Sequence, residues 1–323
     1  MASILRPKTL RTGDLVAVMA LSGGLESGEA SLFERGVEAI EALGFTVQVS
    51  PLVDLDRSWW WAAAEPTATA AELNRGLRDP DIRAIFALTG GRMTLSYLDQ
   101  VDFAAVRDDP KPLLGFSDID GLLLALHSRT GLVSFHADLV THGFGYWHES
   151  DEHRRADLAD IYRRVLTSDR AAGLLPSSGR WECWRPGRAE GPLIGGMLNR
   201  LVRIQATPYA LRPDRFDGAI LFWEDVGTSF AGAWMDLQVL RHAGVLDRIA
   251  GMIVGPADEI EPTEGGPDTL RELVLSVVGD RAIPIVGNVD IGHDPPNIPL
   301  PLGVRAELDA DARSLSLLEP AVG

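Results

Sequence analysis

Short apolar runs alternate with segments of helical period through the first half of the chain. Residues 15–20 form an apolar run ending in Leu21-Ser22-Gly23-Gly24. Phe33, Val37 and Ile40 then share one helical face, and Gly44 suits the C-terminus of that helix. Residues 46–50 alternate as a strand, and 67–78 read as a helix closed by Asp79-Pro80. An apolar strand at 84–88 runs into Thr89-Gly90-Gly91, another lies at 112–116, and 118–129 read as a helix. Repeated strand–helix units of this length predict a parallel sheet with helices on its faces. Such sheets carry their chemistry on loops beyond the carboxyl ends of the strands.

The pattern then changes. Leu158, Ile161, Tyr162, Val165 and Leu166 keep helical spacing, but residues 171–187 are rich in Gly, Pro, Ser and Trp. That segment reads as an interdomain connection or active-site loop. A second block follows, with strands near 219–223, 251–255 and 284–290. It closes in a hairpin that turns at Asp309-Ala310-Asp311 between 305–308 and 314–318. The chain has 323 residues, long for one core. The expected division is 1–150, a connection at 151–188, and 189–323.

Composition narrows the function. The chain is 46% hydrophobic and 24% charged, as expected of a folded protein. Its 30 basic and 46 acidic residues leave a net charge of −16, which repels nucleic acid and anionic membrane surfaces. No stretch approaches the roughly 20 apolar residues of a membrane span. The N-terminus lacks the apolar core of a signal peptide, so a cytoplasmic location is expected. The single Cys183 permits no internal disulfide and no cysteine-rich metal site.

The most informative segment is Leu113-Leu114-Gly115-Phe116-Ser117-Asp118-Ile119-Asp120. A buried strand stops at a glycine, and a serine stands at the turn into a helix. Such a turn exposes a hydroxyl beside helix N-terminal amides, including that of Asp118, as in a nucleophile elbow. Ser117 or Asp118 serves equally well as a plain helix cap. A serine nucleophile needs a base, and His293 is the distinctive histidine, held in Gly292-His293-Asp294-Pro295-Pro296-Asn297 among four prolines and two glycines. An orienting acid could come from Glu224 or from its neighbour Asp225, at the end of an apolar strand. His136, Asp138 and His142 match no standard helical metal motif. Ser22-Gly23-Gly24 lacks the patterns of a phosphate-binding loop, and Gly90-Gly91 is either a turn or a donor of a backbone amide.

In order along the chain, these segments resemble the serine LD-carboxypeptidase family, which includes muropeptide LD-carboxypeptidases and microcin C self-immunity peptidases. The resemblance rests on residues 10–18, Thr89-Gly90-Gly91, Lys111-Pro112 through Gly115-Phe116-Ser117-Asp118, Glu190 through Gly196, Phe222-Trp223-Glu224-Asp225 and Gly292-His293-Asp294. It implies an α/β fold: an N-terminal Rossmann-like parallel-sheet domain carrying Ser117, and a smaller β-rich C-terminal domain carrying Glu224 and His293. It implies Ser117 as nucleophile, His293 as general base, Glu224 as orienting acid, and the amides of Gly91 and Asp118 as oxyanion hole. No metal or cofactor is implied, and a homodimer is.

The cell-wall branch releases terminal D-alanine from a muropeptide. The microcin branch cleaves an aminoacyl-nucleotide mimic, with aromatic residues of an active-site loop stacking on the base. Trp184 is the candidate platform here, and Trp181 and Trp184 pack the domain interface on the plainer reading. Trp59-Trp60-Trp61 read as a dimer contact or core filling. Leu21, Arg92, Ala137, Asp138 and Met197 depart from the family pattern near the expected substrate walls. A non-catalytic α/β binding protein with a cleft between its domains would share the fold signals. A hydrolase pairing Glu224 with Asp225 is disfavoured, because neighbours on a strand point to opposite faces.

Overall fold

The computed structural model describes residues 4–53 and 59–323. Five strands alternate with helices in the first half: β1 (Leu15–Met19), β2 (Thr46–Val49), β3 (Ile82–Ala87), β4 (Leu113–Gly115) and β5 (Phe135–His136). The helices are α1 (Ala30–Ala42), α2 (Pro66–Arg78), α3 (Phe103–Asp108), α4 (Ile119–Thr130) and α5 (Glu152–Thr167). These five strands pair in parallel, in the order β5-β4-β3-β1-β2. The order reverses beside β1. The loops after β1 and β3 therefore flank a topological switch point, where open α/β sheets form their crevice. Gly23 N–H donates to the Gly90 carbonyl at 2.7 Å and ties these two loops together.

The second half adds β6 (Gly173–Leu174), β7 (Glu182–Arg185), β8 (Arg188–Met197), β9 (Ile220–Ser229), β10 (Gly251–Glu261), β11 (Ile285–Gly287), β12 (Leu300–Pro301), β13 (Arg305–Asp309) and β14 (Ser314–Leu317). Its helices are α6 (Leu198–Ile204), α7 (Phe230–His242) and α8 (Leu270–Val278). Eight strands make a mixed sheet, β6-β14-β13-β8-β9-β10-β11-β7. The segment read as an open connection thus supplies two short edge strands, β6 and β7, to this sheet. The pair β9/β10 also continues well past the apolar residues, to Ser229 and Glu261, in parallel register.

One strand joins the two halves. β12 follows β11 in sequence but pairs antiparallel with β5, at the edge of the first sheet. The chain from β11 to β12 must therefore cross from one sheet to the other, and it carries His293. Helix α4 lies at the centre and is buried around nearly its whole circumference, from Ile119 to His127. A helix apolar on all sides needs cover on all sides, and α4 packs on α3, on α6 and on β8 as well as on its own sheet. Among the described residues no helix is long and apolar enough to cross a membrane.

Candidate active site

Ser117 sits between β4 and α4 with φ of 64°. A non-glycine residue in this left-handed region costs of order 1–3 kcal/mol and is kept only where its surroundings over-determine it. Here Gly115 leaves room for Ile119 behind the turn, and Asp120 N–H and Gly121 N–H bond back to the carbonyls of Ser117 and Asp118. The strained turn points Oγ at the loop that crosses between the sheets.

His293 faces it. Its Nε2 lies 3.0 Å from Ser117 Oγ, and its Nδ1 lies 2.7 Å from Glu224 Oε2. With Nδ1–H donated to the carboxylate, Nε2 keeps its lone pair for the serine proton. Glu224 is 1% exposed on β9, opposite Met197 of β8. Gly292, with φ of 103°, and Gly255 make room for it, since a Cβ on either would lie 2.8 Å or less from Glu224 atoms. Strand alternation also separates the competing acids. Asp225 turns away to accept from Asn199 Nδ2 at 3.0 Å, and burial, reinforced by the charge of Glu224, pushes its carboxyl up to about 7.

Burial would by itself lower the His293 imidazole, but the charge and hydrogen bond of Glu224, helped by Asp120 and Asp258, outweigh it and raise the group above 6.5. Were His293 to act as a general base, it would work only when neutral. The acid limb of kcat/KM is therefore expected above pH 6.5, with activity rising as pH increases through it. Glu224→Gln should shift the His293 titration, followed by proton NMR, to lower pH. A wild-type titration below 6.5 would show that the carboxylate does not govern the ring.

The glycine loop closes over the serine. A Cβ on Gly90 would lie 2.8 Å from Ser117 Oγ, so only glycine lets the loop approach this closely. Gly91 has φ of 144°, and a Cβ there would lie 2.5 Å from Ser22 Oγ. The backbone N–H groups of Gly91 and Asp118 donate to no protein group among the described residues. Two undonated amides beside a reactive hydroxyl suit a developing oxyanion.

The Asp118 side chain holds this arrangement. It accepts from Ser22 Oγ at 2.7 Å, from the backbone N–H of Met93 at 2.6 Å and Thr94 at 2.9 Å, and from Arg200 Nε at 2.6 Å. Arg200 also donates to the Gly91 carbonyl at 3.0 Å, which holds the Gly91–Arg92 peptide, while the Gly23 N–H on the Gly90 carbonyl holds the peptide that carries the Gly91 N–H. Asp120, one position beyond the turn, accepts from Met197 N–H at 2.7 Å and pairs with His136 Nδ1 at 3.0 Å. Burial opposes the charged His136 ring, but the Asp120 carboxylate prevails and raises it. Both acids at the head of α4 therefore hold the start of α6 against the Ser117 turn.

Sequence reading missed Arg200 and the Asp120–His136 pair. Arg200 did leave a signal: it falls on the buried stripe of α6 with Leu201 and Ile204, where an arginine needs a carboxylate partner. His136, Asp138 and His142 do not converge. His136 pairs with Asp120, Asp138 accepts from Trp147 Nε1 at 2.7 Å, and His142 Nε2 lies 3.4 Å from Glu29. Among the described residues no cluster of three or more His, Cys, Asp or Glu side chains is placed to hold a metal ion.

Trp184 lies on β7 with its indole against Gly287, where a Cβ would lie 1.9 Å from the ring. At 5% exposure it has no open face for a base to stack on. Trp181 is buried too, and its Nε1 donates to Asp290 at 2.9 Å. Trp60 and Trp61 are instead exposed, and Trp61 Nε1 donates to the carbonyl of Arg92, one residue beyond Gly91.

Residues 16–137 match the LD-carboxypeptidase N-terminal domain and residues 190–308 the LD-carboxypeptidase C-terminal domain. A Streptomyces coelicolor protein assigned to the carboxypeptidases is 33% identical over 100% of this chain and 99% of its own. The microcin C7 self-immunity protein MccF of Escherichia coli is 28% identical over 96% of this chain and 94% of its own. The murein tetrapeptide carboxypeptidase of Pseudomonas aeruginosa is 28% identical over 74% and 76%. A structure of MccF in complex with glutamyl sulfamoyl guanosine superposes with a TM-score of 0.86 at 24% identity, covering 99% of this chain and 100% of that one. With both domain matches in chain order and a full-length relative at 33% identity, the chain belongs to the LD-carboxypeptidase family.

Proposed function

We propose that the protein is a serine carboxypeptidase that hydrolyses an amide through an acyl-enzyme, removing a terminal D-alanine from an L-centre of a cell-wall muropeptide. The observation that carries the mechanism is the unbroken hydrogen-bond chain from Ser117 Oγ through His293 to Glu224, assembled across the two sheets.

Ser117 Oγ bonds to the substrate carbonyl carbon while its proton passes to His293 Nε2. The carbonyl oxygen becomes an oxyanion, and the amides of Gly91 and Asp118 stabilise it. Glu224 holds the ring in its working tautomer and offsets the positive charge that it gains. Collapse breaks the C–N bond, and the amine leaves with the proton from His293. A water then gives a proton to His293 as it attacks the ester, and that proton returns to Oγ as the acid is released.

Two relatives separate the substrate readings, one named for murein tetrapeptide and one for microcin self-immunity. The covered indole of Trp184 favours the peptide, because the aminoacyl-nucleotide reading asks this segment for a free aromatic face. Trp234, Met235 and Val239 are exposed together on α7, which supports association into a homodimer. The substrate test is turnover of an L,D-tetrapeptide and of an aminoacyl-sulfamoyl adenosine by the purified chain. The tetrapeptide is expected to be the better substrate by kcat/KM. Preference for the sulfamoyl adenosine would move the protein to the immunity reading, and loss of neither would favour a binding protein.

A further inference from the structure

We propose that Asp138 is a positioning residue for His293, acting from the first sheet through Asn297 on the loop that carries the base. The inference rests on the reading of Ser117, Glu224 and His293 given above. Asp138 follows β5, and its side chain reaches the crossing between β11 and β12. Its Oδ1 accepts from Asn297 N–H at 2.9 Å, and its Oδ2 accepts from Trp147 Nε1 at 2.7 Å. Its own N–H donates at 2.8 Å to the hydroxyl of Tyr162 on α5, and that hydroxyl donates at 3.3 Å to the Asn297 carbonyl. Asn297 is therefore held at both its backbone N–H and its carbonyl by groups of the first half of the chain. Its side chain passes the constraint on, for Nδ2 donates at 2.9 Å to the carbonyl of Gly292, the residue before His293.

Every member is buried: Asp138, Asn297, Tyr162 and Trp147 are each no more than 5% exposed. Burial pushes the Asp138 carboxyl up to about 7 against the bonds that it accepts. An acid in so dry a place costs stability unless its oxygens are well used. Here one oxygen is spent on the loop itself. The loop needs such an anchor because it crosses from one sheet to the other, and Gly292 packs directly on the Glu224 carboxylate. A shift of Gly292 would lengthen the contacts of His293 on both sides, and misplacement by about 1 Å can cost about 100-fold in rate.

The test compares two variants that each remove one bond to the same carboxylate. Asp138→Asn keeps the shape, but its amide cannot accept from both Asn297 N–H and Trp147 Nε1. Trp147→Phe removes only the bond that does not lead to the loop. Asp138→Asn is expected to lower kcat about 10- to 100-fold with KM changed less than about twofold, and to slow fluorophosphonate labelling of Ser117 by a similar factor. Trp147→Phe is expected to lower the thermal midpoint and leave kcat and the labelling rate within about twofold. An equal loss of kcat in Asp138→Asn and Trp147→Phe overturns the proposal, as does wild-type kcat in both Asp138→Asn and Asn297→Ala, because the one oxygen kept by the amide of Asp138→Asn can stay on Asn297 N–H. Asn297→Ala, decisive also should Asp138→Asn fail to fold, removes the side-chain link to Gly292 and keeps the backbone N–H on Asp138. It is expected to reproduce the kcat loss, and wild-type kcat there is equally fatal. Ser117→Ala, run alongside, separates the two ideas: if it retains activity the site reading fails, whereas an inactive Ser117→Ala with fully active Asp138→Asn and Asn297→Ala removes only the positioning role.

Discussion

Ser117→Ala is expected to lower kcat by about 10⁴–10⁶-fold, the loss seen when a triad nucleophile is removed. Folding and KM are expected to stay near the starting values. The side chain ends at Oγ, so the substitution deletes the hydrogen bond to His293 and the contact to Met197 Sδ at 3.9 Å and nothing else. Alanine keeps the Cβ that already tolerates φ of 64°, so the turn gains no new strain. The two undonated amides of Gly91 and Asp118 remain, and they should leave about 10³-fold catalysis over the uncatalysed reaction. Single-turnover kinetics on the tetrapeptide, with circular dichroism as the folding control, measures both parts. Turnover undiminished in a folded Ser117→Ala would mean that the hydroxyl takes no part in bond cleavage.

The largest expected effect on stability is at Asp118. Asp118→Ala leaves Arg200 buried without its carboxylate, its side chain being only 6% exposed. It also strands the N–H groups of Met93 and Thr94 and the hydroxyl of Ser22. Breaking one side of a buried ion pair costs about 3–5 kcal/mol, a large part of the stability of an ordinary domain. Denaturant unfolding should register it as a lower midpoint with an unchanged slope. The double variant Asp118→Ala with Arg200→Met removes the orphaned charge and should recover part of the loss. Strict additivity of the two single effects would show that the pair is not coupled. Activity should fall in the single variant as well, because Asp118 holds Ser22 and the backbone at Met93 around the glycine loop, and Arg200, left without its carboxylate, holds the Gly91 carbonyl.

Much of the framework could be read along the chain. The runs at 84–88 and 112–116 gave β3 and β4 within a few residues, because a strand buried on both faces is apolar at every position. The closing hairpin was equally plain, since Asp309-Ala310-Asp311 interrupts two alternating runs. The edge strands β6 and β7 were not legible. They are two and four residues long and sit in a segment of Gly, Pro and Ser, so only the neighbouring strands make them extended. The far ends of β9 and β10 escaped for a related reason. Beyond Asp225 and Ala257 their side chains are mostly polar and partly exposed, and pairing with each other replaces burial as the stabilising force.

The site divides along the same line. Ser117 was a candidate from local signals alone, because a glycine-ended buried strand running into a helix dictates a tight turn within a few bonds. Whether it is more than a cap, and whether Glu224 or Asp225 faces the histidine, depends on which side of β9 meets the gap. That choice is made by the packing of β8 and β10 around it. An arginine on a buried helical stripe asks for a carboxylate, but that Arg200 meets Asp118, 82 positions away, and Asp138 meets Asn297, 159 away, leaves no mark in any local window. Backbone propensity and hydrophobic period act over a turn or a strand, and so the chain's order of residues settled the elements and the elbow. The meeting of hydroxyl, imidazole and carboxylate was settled by the crossing of one loop between two sheets, where burial leaves charged groups no partners but each other.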